Sequence, residues 1–122
     1  KGILDGKSKA NFTGKVNVLR GAQQTDSNQL CSSLMLSDTA TIDAKPQLEI
    51  YADDVKCTPG ATVGPAPEEI IFYFRSRGID EKTARGMLTY GFADEVVEEV
   101  KVPQLQSRLE RFVFRKYSPD AK

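Results

Sequence analysis

The sequence predicts a mixed chain in which strands come first and helices follow. From Ala10 to about Gly64 apolar residues alternate in short bursts, Pro65-Ala66-Pro67 interrupts them, and helical spacing takes over afterwards. The bursts are Ala10/Phe12, Val16/Val18, Leu34/Leu36, Ala40/Ile42, Leu48/Ile50 and Ala61/Val63. Gly14, Gly21, Ser37-Asp38, Pro46, Asp53-Asp54 and Pro59-Gly60 fall between them and are expected in turns, because glycine accepts positive φ and aspartate closes turns through its own side chain. Strands of about three to five residues follow from this spacing. With no 3.6-residue stripe between bursts, crossover helices are disfavoured, which leaves a sandwich, a small barrel or a β-solenoid. The solenoid suits the shortest strands best. A solenoid coil cannot bury its face alone, so the first coil is expected to have others before it.

Residues 65–122 are expected to form a helical domain behind a β-body of residues 1–64. Proline is tolerated in a first helical turn, and Glu68-Glu69 sit where the helix dipole favours negative charge, so a helix is expected from Pro67 to Arg77, closed by Gly78. Asp80 caps a second helix to about Tyr90, with Ala84, Met87 and Leu88 on one face and Gly91 ending it. A third is expected from Ala93 to Lys101, acidic on one side, with Val96, Val97 and Val100 on the other and Pro103 as its stop. The fourth runs from Gln104 to Lys116 with Leu105, Leu109, Phe112 and Val113 as its buried stripe, and the tail Tyr117 to Lys122 is expected to fray.

Composition narrows the chemistry. The 122 residues contain 17 Lys+Arg, 17 Asp+Glu and no histidine. Without histidine the chain supplies no imidazole base, no Ser/His or Cys/His pair and no histidine metal ligand. Zero net charge and the lack of a basic stripe argue against a dedicated nucleic-acid binder. The longest apolar run, Ile70 to Phe74, is far short of the roughly 20 residues of a membrane span. Cys31 and Cys57 stand 26 positions apart (31 to 57) without a Cys-x-x-Cys spacing, which fits reduced thiols and a reducing compartment. Asn11-Phe12-Thr13 matches a glycosylation acceptor, a tripeptide common by chance. The chain opens on Lys1 with no signal pattern over Lys1 to Gly6, so the natural N-terminus and any targeting segment are expected to precede it.

Among candidate reactive groups, Cys57 lies beside Lys56 in a segment read as a turn, Asp54 to Gly60. A thiolate is the nucleophile and soft-metal ligand, and a neighbouring ammonium favours it; the plainer reading is a small buried hydrophobe. Cys31 has no charged neighbour within two positions and reads as buried. Asp53-Asp54 with Glu49 lack the alternating oxygen ligands of a calcium loop and read as a solvated turn. Asp94, Glu95, Glu98 and Glu99 read as the wet face of a helix. The first helix is more informative: Ile70 to Phe74 wrap its whole circumference, so beyond the face packed inside the protein another must meet later helices or a partner, with Arg75, Arg77 and Asp80 around Gly78 as rim contacts.

Lys45-Pro46-Gln47-Leu48-Glu49-Ile50-Tyr51-Ala52-Asp53-Asp54-Val55-Lys56-Cys57, then Gly60-Ala61-Thr62-Val63-Gly64 and Phe72-Tyr73-Phe74-Arg75-Ser76-Arg77-Gly78-Ile79-Asp80, resemble the SufB/SufD family of iron–sulfur cluster assembly proteins, the SufD branch above all. Phe12 to Val16, Gly21 to Asp26 and Leu34 to Asp38 extend the resemblance, which runs to about Phe92 and weakens beyond it. It implies the C-terminal coils of a right-handed parallel β-helix followed by a small helical domain. It also implies a scaffold without turnover of its own that pairs through its β-helix with a SufB-like paralogue, or with itself, and docks a SufC-like ABC ATPase through the helical domain. Phe72, Tyr73, Arg75, Arg77, Gly78 and Asp80 fall in the docking region, and Cys57 matches a family cysteine near the paired interface, a candidate metal ligand. The implied cofactor is a transient iron–sulfur cluster shared with the partner, none being tightly bound here; the implied compartment is bacterial cytoplasm or plastid stroma.

One departure stands out. SufD relatives commonly carry Cys-Ser-His-Gly where this chain has Cys57-Thr58-Pro59-Gly60, so a nitrogen ligand for iron is replaced by proline. Either a partner or another thiol completes the site, or the role reduces to scaffolding. Two rival readings stand beside this one: a Cys57-dependent sulfur-handling enzyme, activated by Lys56 or a helix dipole, and a metal-free structural dimerisation module.

Overall fold

In the computed structural model, which describes residues 1–118, five strands precede three helices. The strands are β1 (Gly2–Leu4), β2 (Lys9–Val18), β3 (Thr25–Met35), β4 (Thr41–Ile50) and β5 (Val55–Pro65); the helices are α1 (Glu68–Ser76), α2 (Glu81–Val97) and α3 (Pro103–Tyr117). The described chain divides into two compact units, one of Gly2–Gly64 and one beginning at Pro65.

In the β-unit, odd and even strands separate into two sheets, ordered β1-β3-β5 and β2-β4. Both registered pairs are parallel. Lys9 lies beside Thr41 and Val18 beside Ile50, a step of 32 residues (9 to 41, 18 to 50). Gly2 lies beside Ser33, a step of 31 (2 to 33). The corners stack with a similar spacing, their bonds joining residues 30 to 33 positions apart. The Leu36 N–H donates to the Leu4 carbonyl at 2.7 Å, the Ser37 and Thr39 hydroxyls each to the Gly6 carbonyl at 2.6 Å, and the Thr41 N–H to the Ser8 carbonyl at 3.0 Å. At the next corner the Tyr51 N–H donates to the Val18 carbonyl at 2.9 Å, the Gln24 N–H to the Asp54 carbonyl at 2.6 Å, and the Asp54 N–H to Gln23 Oε1 at 3.0 Å. Corner backbone groups that water would otherwise solvate thus find partners one turn of chain away.

The strands are longer than the apolar bursts. Ala10/Phe12 and Val16/Val18 fuse into β2 across Gly14, and Ala40/Ile42 leads into β4, which runs through Pro46 to Ile50. β3 begins in polar residues at Thr25, Pro59-Gly60 lies inside β5, and β1 has no burst to announce it. Alternation continues through Gly14, Ala44 and Pro46, too small or too rigid to mark a strand by hydrophobicity. Gly14 and Pro46 even occupy one rung of the β2–β4 ladder. Proline is tolerated on an edge strand when its missing donor faces away from the ladder, and β4 and β5 are both edges among the described residues. Gly21, Ser37-Asp38 and Asp53-Asp54 do lie at corners. Leu4, Val18, Cys31, Leu34, Ala40 and Ala52 form the buried core of this unit.

The helical unit is punctuated by its caps. Glu68 and Glu69 occupy the first turn of α1 behind Pro67. Gly78 has φ of 85°, in the left-handed region; its N–H donates to the Arg75 carbonyl at 3.0 Å and the Ile79 N–H to the Phe74 carbonyl at 3.1 Å. This pair of bonds is a Schellman termination, accompanied by half-buried Phe74 and Ile79. Asp80 caps α2, and Pro103 stands at the first position of α3, where its missing N–H costs nothing.

Two expectations fail here. The second and third helices are a single α2 that continues through Gly91, since one glycine costs a helix only about 1 kcal/mol. On α3 the buried stripe turns toward Leu109 and Val113, with Gln106, Glu110 and Tyr117 half-buried, whereas Leu105 and Phe112 are exposed. Met87 on α2 is exposed as well. Ile71, Ala84, Val97 and Val113 are buried in this unit, and the Tyr90 and Phe114 rings meet edge to face at 5.9 Å. Among the expected tail residues Tyr117 closes α3, and residues 119–122 lie outside those described. No helix among the described residues is long and apolar enough to cross a membrane.

Candidate functional site

Cys57 belongs to β5, not to a turn. It is half-buried between exposed Lys56 and Thr58. Successive strand side chains point to opposite faces, so Lys56 does not share the face of the thiol it precedes in sequence. Cys31 is buried in β3, and both thiols are free. Gly60 lies against Leu30, where an added Cβ would sit 3.2 Å from Leu30 Cδ1. Cys31 and Cys57 thus lie on the neighbouring strands β3 and β5 as two free thiols. Pro59 is exposed two residues beyond Cys57.

Of the acidic candidates nearby, Glu49 pairs with Lys15 across β4 and β2 at 2.6 Å, while Asp54 gives its backbone groups to Gln23 and Gln24. Among the described residues no three His, Cys, Asp or Glu side chains gather as a metal site. Iron–sulfur clusters are commonly held by four thiolates, so one thiol at Cys57 requires further ligands from outside this set.

The second candidate region is the elbow between α1 and α2. Ile71 is only 2% exposed, whereas Phe72 is 73% and Tyr73 55% exposed. The Arg77 guanidinium lies 5.2 Å from the Tyr73 ring centroid, a cation–π distance. Arg75 reaches Glu81 at 3.9 Å. Phe72, Tyr73, Arg75 and Arg77 thus form an outward ridge, while Gly78 and Asp80 build the elbow that presents it. The Thr83 N–H donates to Asp80 Oδ1 at 3.0 Å and the Thr83 hydroxyl to Asp80 Oδ2 at 2.5 Å. The Thr83 hydroxyl first, and its N–H second, hold the Asp80 carboxyl below its usual range.

Arg85 was not singled out from sequence, yet it ties the elbow together. Its Nη2 lies 2.9 Å from Glu81 and 3.0 Å from Glu68, bridging α2 to the start of α1. Glu81 and then Glu68 raise its already high pKa. The Glu81–Arg85 spacing is a readable i,i+4 pair, but the Glu68 contact exists only once the helices fold together.

The matches to known proteins fall on these same elements. A family model described as SUF system FeS cluster assembly, SufBD core domain, matches residues 1–92, from β1 into α2. The chain is 45% identical over 109 residues to the iron–sulfur cluster assembly protein SufD of Escherichia coli, covering 89% of this chain and 26% of that protein. It is 42% identical over 113 residues to an iron–sulfur cluster assembly SufBD family protein of Synechocystis, covering 93% and 25%. A chloroplastic Arabidopsis protein, ABCI7, is 46% identical over 97 residues, covering 80% and 20%. The chain spans about a quarter or less of the length of these relatives. The strands, the Cys57 segment and the α1–α2 elbow thus all lie within the match, and the chain belongs to the SufBD core-domain family of the SUF iron–sulfur assembly system.

Proposed function

We propose that this chain is part of a SufD-like scaffold in iron–sulfur cluster assembly, with no catalytic turnover of its own. In this reading residues 1–64 are terminal coils of a right-handed parallel β-helix that pairs with a SufB-like paralogue or a second copy. The interleaved parallel sheets, with strand partners 31 or 32 residues apart, and the stacked corners support that reading. The helical domain docks a SufC-like ABC ATPase. The observation that carries this part is the solvent-facing ridge of Phe72 and Tyr73, held by a helix end closed at Gly78 and recapped at Asp80. Large aromatics left in water beside two arginines have the composition of a binding hot spot. ATP-driven closure of the ATPase would then move the elbow and, through a stiff solenoid, the interface near Cys57.

Cys57 acts in this reading as a shared ligand or interface thiol for a transient cluster whose remaining ligands come from a partner. The enzyme alternative is weakened by the opposite facing of Lys56.

Calorimetric titration with a SufC-like ATPase tests the docking. Micromolar or tighter binding is expected, with Phe72→Ala and Tyr73→Ala each weakening it by about tenfold, about 1.4 kcal/mol. No binding by the folded protein would sink the docking role. Cys57→Ser in the intact protein separates scaffold from metal-free module: lost cluster delivery supports the first, unchanged delivery the second.

A further inference from the structure

The outward face of α3 is basic and apolar at once. With about 3.6 residues to a turn, Arg108 and Arg115 stand on one row about 10.5 Å apart, and Leu105 and Phe112 form a second row beside it with the same interval. Phe112 is 62% and Leu105 47% exposed. Arg108, Arg111, Phe112 and Arg115 line a shallow depression of about 280 Å³, and the Lys116 ammonium lies 5.9 Å from the Phe112 ring centroid. The one carboxylate of α3, Glu110, is half-buried about 160° around the helix from Arg108, where it lines a separate depression with Tyr90 and Phe114. Arg111 and Arg115 border that depression as well. Even so, none of Arg108, Arg111, Arg115 and Lys116 pairs with a carboxylate among the described residues, and the Arg111 Nε donates instead to the Ser107 carbonyl at 3.1 Å.

A row of guanidinium groups beside a row of exposed apolar side chains calls for a partner that offers carboxylates and apolar groups side by side. A guanidinium donates two parallel hydrogen bonds to a carboxylate, which suits arginine to this pairing better than lysine. The interval decides the shape of the partner. Side chains two turns apart on a second helix recur at the same spacing of about 10.5 Å, so a helix laid lengthwise meets both rows in register. A lipid surface has no such interval, and half-buried Leu109 and buried Val113, the apolar side that a membrane-seeking helix would insert, are turned into the protein. We propose that α3 docks an acidic amphipathic helix of a partner protein, its carboxylates set on Arg108 and Arg115 and its apolar row on Leu105 and Phe112. The contact uses none of the residues of the Phe72–Tyr73 ridge and stands apart from the function proposed above.

Fluorescence anisotropy with labelled synthetic peptides tests it. The probe is a helical peptide of about three heptads that carries a Glu row and a Leu row side by side. Its controls are a scrambled peptide of the same composition and a peptide with Lys in place of Glu. The intact protein is expected to bind the probe about tenfold or more tightly than either control, and Arg108→Gln/Arg115→Gln and Phe112→Ser are each expected to weaken the probe by about tenfold. Thermal melts confirm that the variants are folded, and should Phe112→Ser fail to fold, the double arginine variant decides alone. No binding of the probe by the folded wild type, equal binding of the probe and the scrambled peptide, or binding indifferent to these substitutions would each overturn the proposal. Binding to phosphatidylglycerol vesicles that is lost in Arg108→Gln/Arg115→Gln, with no binding of the probe, would overturn it and assign the basic face to a membrane surface instead.

Discussion

The β-unit and the helical unit achieve order by different means. In the first, residues about thirty positions apart hold one another: corner carbonyls at Leu4, Gly6, Ser8 and Val18 accept from the next corner, and breakers such as Gly14 and Pro46 are carried inside strands. In the second, each helix is bounded by residues that act locally, Pro67, Gly78, Asp80 and Pro103. Their cores differ in one polar detail. The β-unit buries the Ser33 hydroxyl, which has no hydrogen-bond partner among the described residues, beside Leu4, Val18 and Leu34, while the helical unit buries Ile71, Ala84, Val97 and Val113 and satisfies its buried Thr89 hydroxyl at the Arg85 carbonyl at 2.8 Å. Backbone ladders can tolerate a modest interior, but short helices must rely on side-chain packing and on their ends.

Truncating the core should expose that contrast most strongly. Ile71→Ala is expected to cost about 2–5 kcal/mol, and Leu34→Ala a similar amount. Hydrogen exchange should place the first loss in α1–α3 amides and the second in β1–β5 amides; uniform loss in both variants would contradict the assignment of Ile71 and Leu34 to different cores.

The next effect compares two glycines of the helical unit. Gly78→Ala forces a Cβ into left-handed backbone and is expected to destabilise by about 1–2 kcal/mol. At Gly91 an added Cβ meets nothing within 4 Å, so Gly91→Ala is expected to stabilise by about 1 kcal/mol. Thermal melts of both variants give the two signs, and equal signs would mean that termination at Gly78 does not rest on its backbone angle.

The smallest effect is the pH dependence of the Asp80 cap. Its carboxyl is held below the usual range by Thr83, so its stabilisation is present above the unfolded value near 4 and declines as pH falls through the lower folded value. Asp80→Asn retains an accepting oxygen without the titration, and should flatten the acid limb of helical stability measured by circular dichroism from pH 6 down to about 2.

Legibility in the sequence followed the same division. The change from strands to helices at Pro65-Ala66-Pro67, the stop at Gly78, the cap at Asp80 and a helix boundary at Pro103 could all be read because each depends on residues within one helical turn. The lengths of β2 and β4 could not, since hydrogen bonds to residues 31 or 32 positions away outweighed the local preferences of Gly14 and Pro46. Gly91 reads as a stop, yet α2 continues through it because packing of α2 on α3 outweighs a propensity cost of about 1 kcal/mol. For the candidate site, residue types at Cys57, Phe72 and Tyr73 were legible, but their facing was not: Lys56 parts from Cys57 only because the segment is a strand.

By itself the sequence determined the order of element types, the local punctuation of the helices, the absence of imidazole chemistry and the resemblance that the family match bears out. Tertiary structure alone decided which strands pair, that Glu68 reaches Arg85, that Ile71 is buried while Phe72 and Tyr73 face water, and that Phe112 rather than Val113 is left outside. Caps and propensities act over a few bonds, so they can be read along the chain. Burial and pairing depend on which distant residues arrive at the same place, and that is settled only when the whole surface competes for contacts.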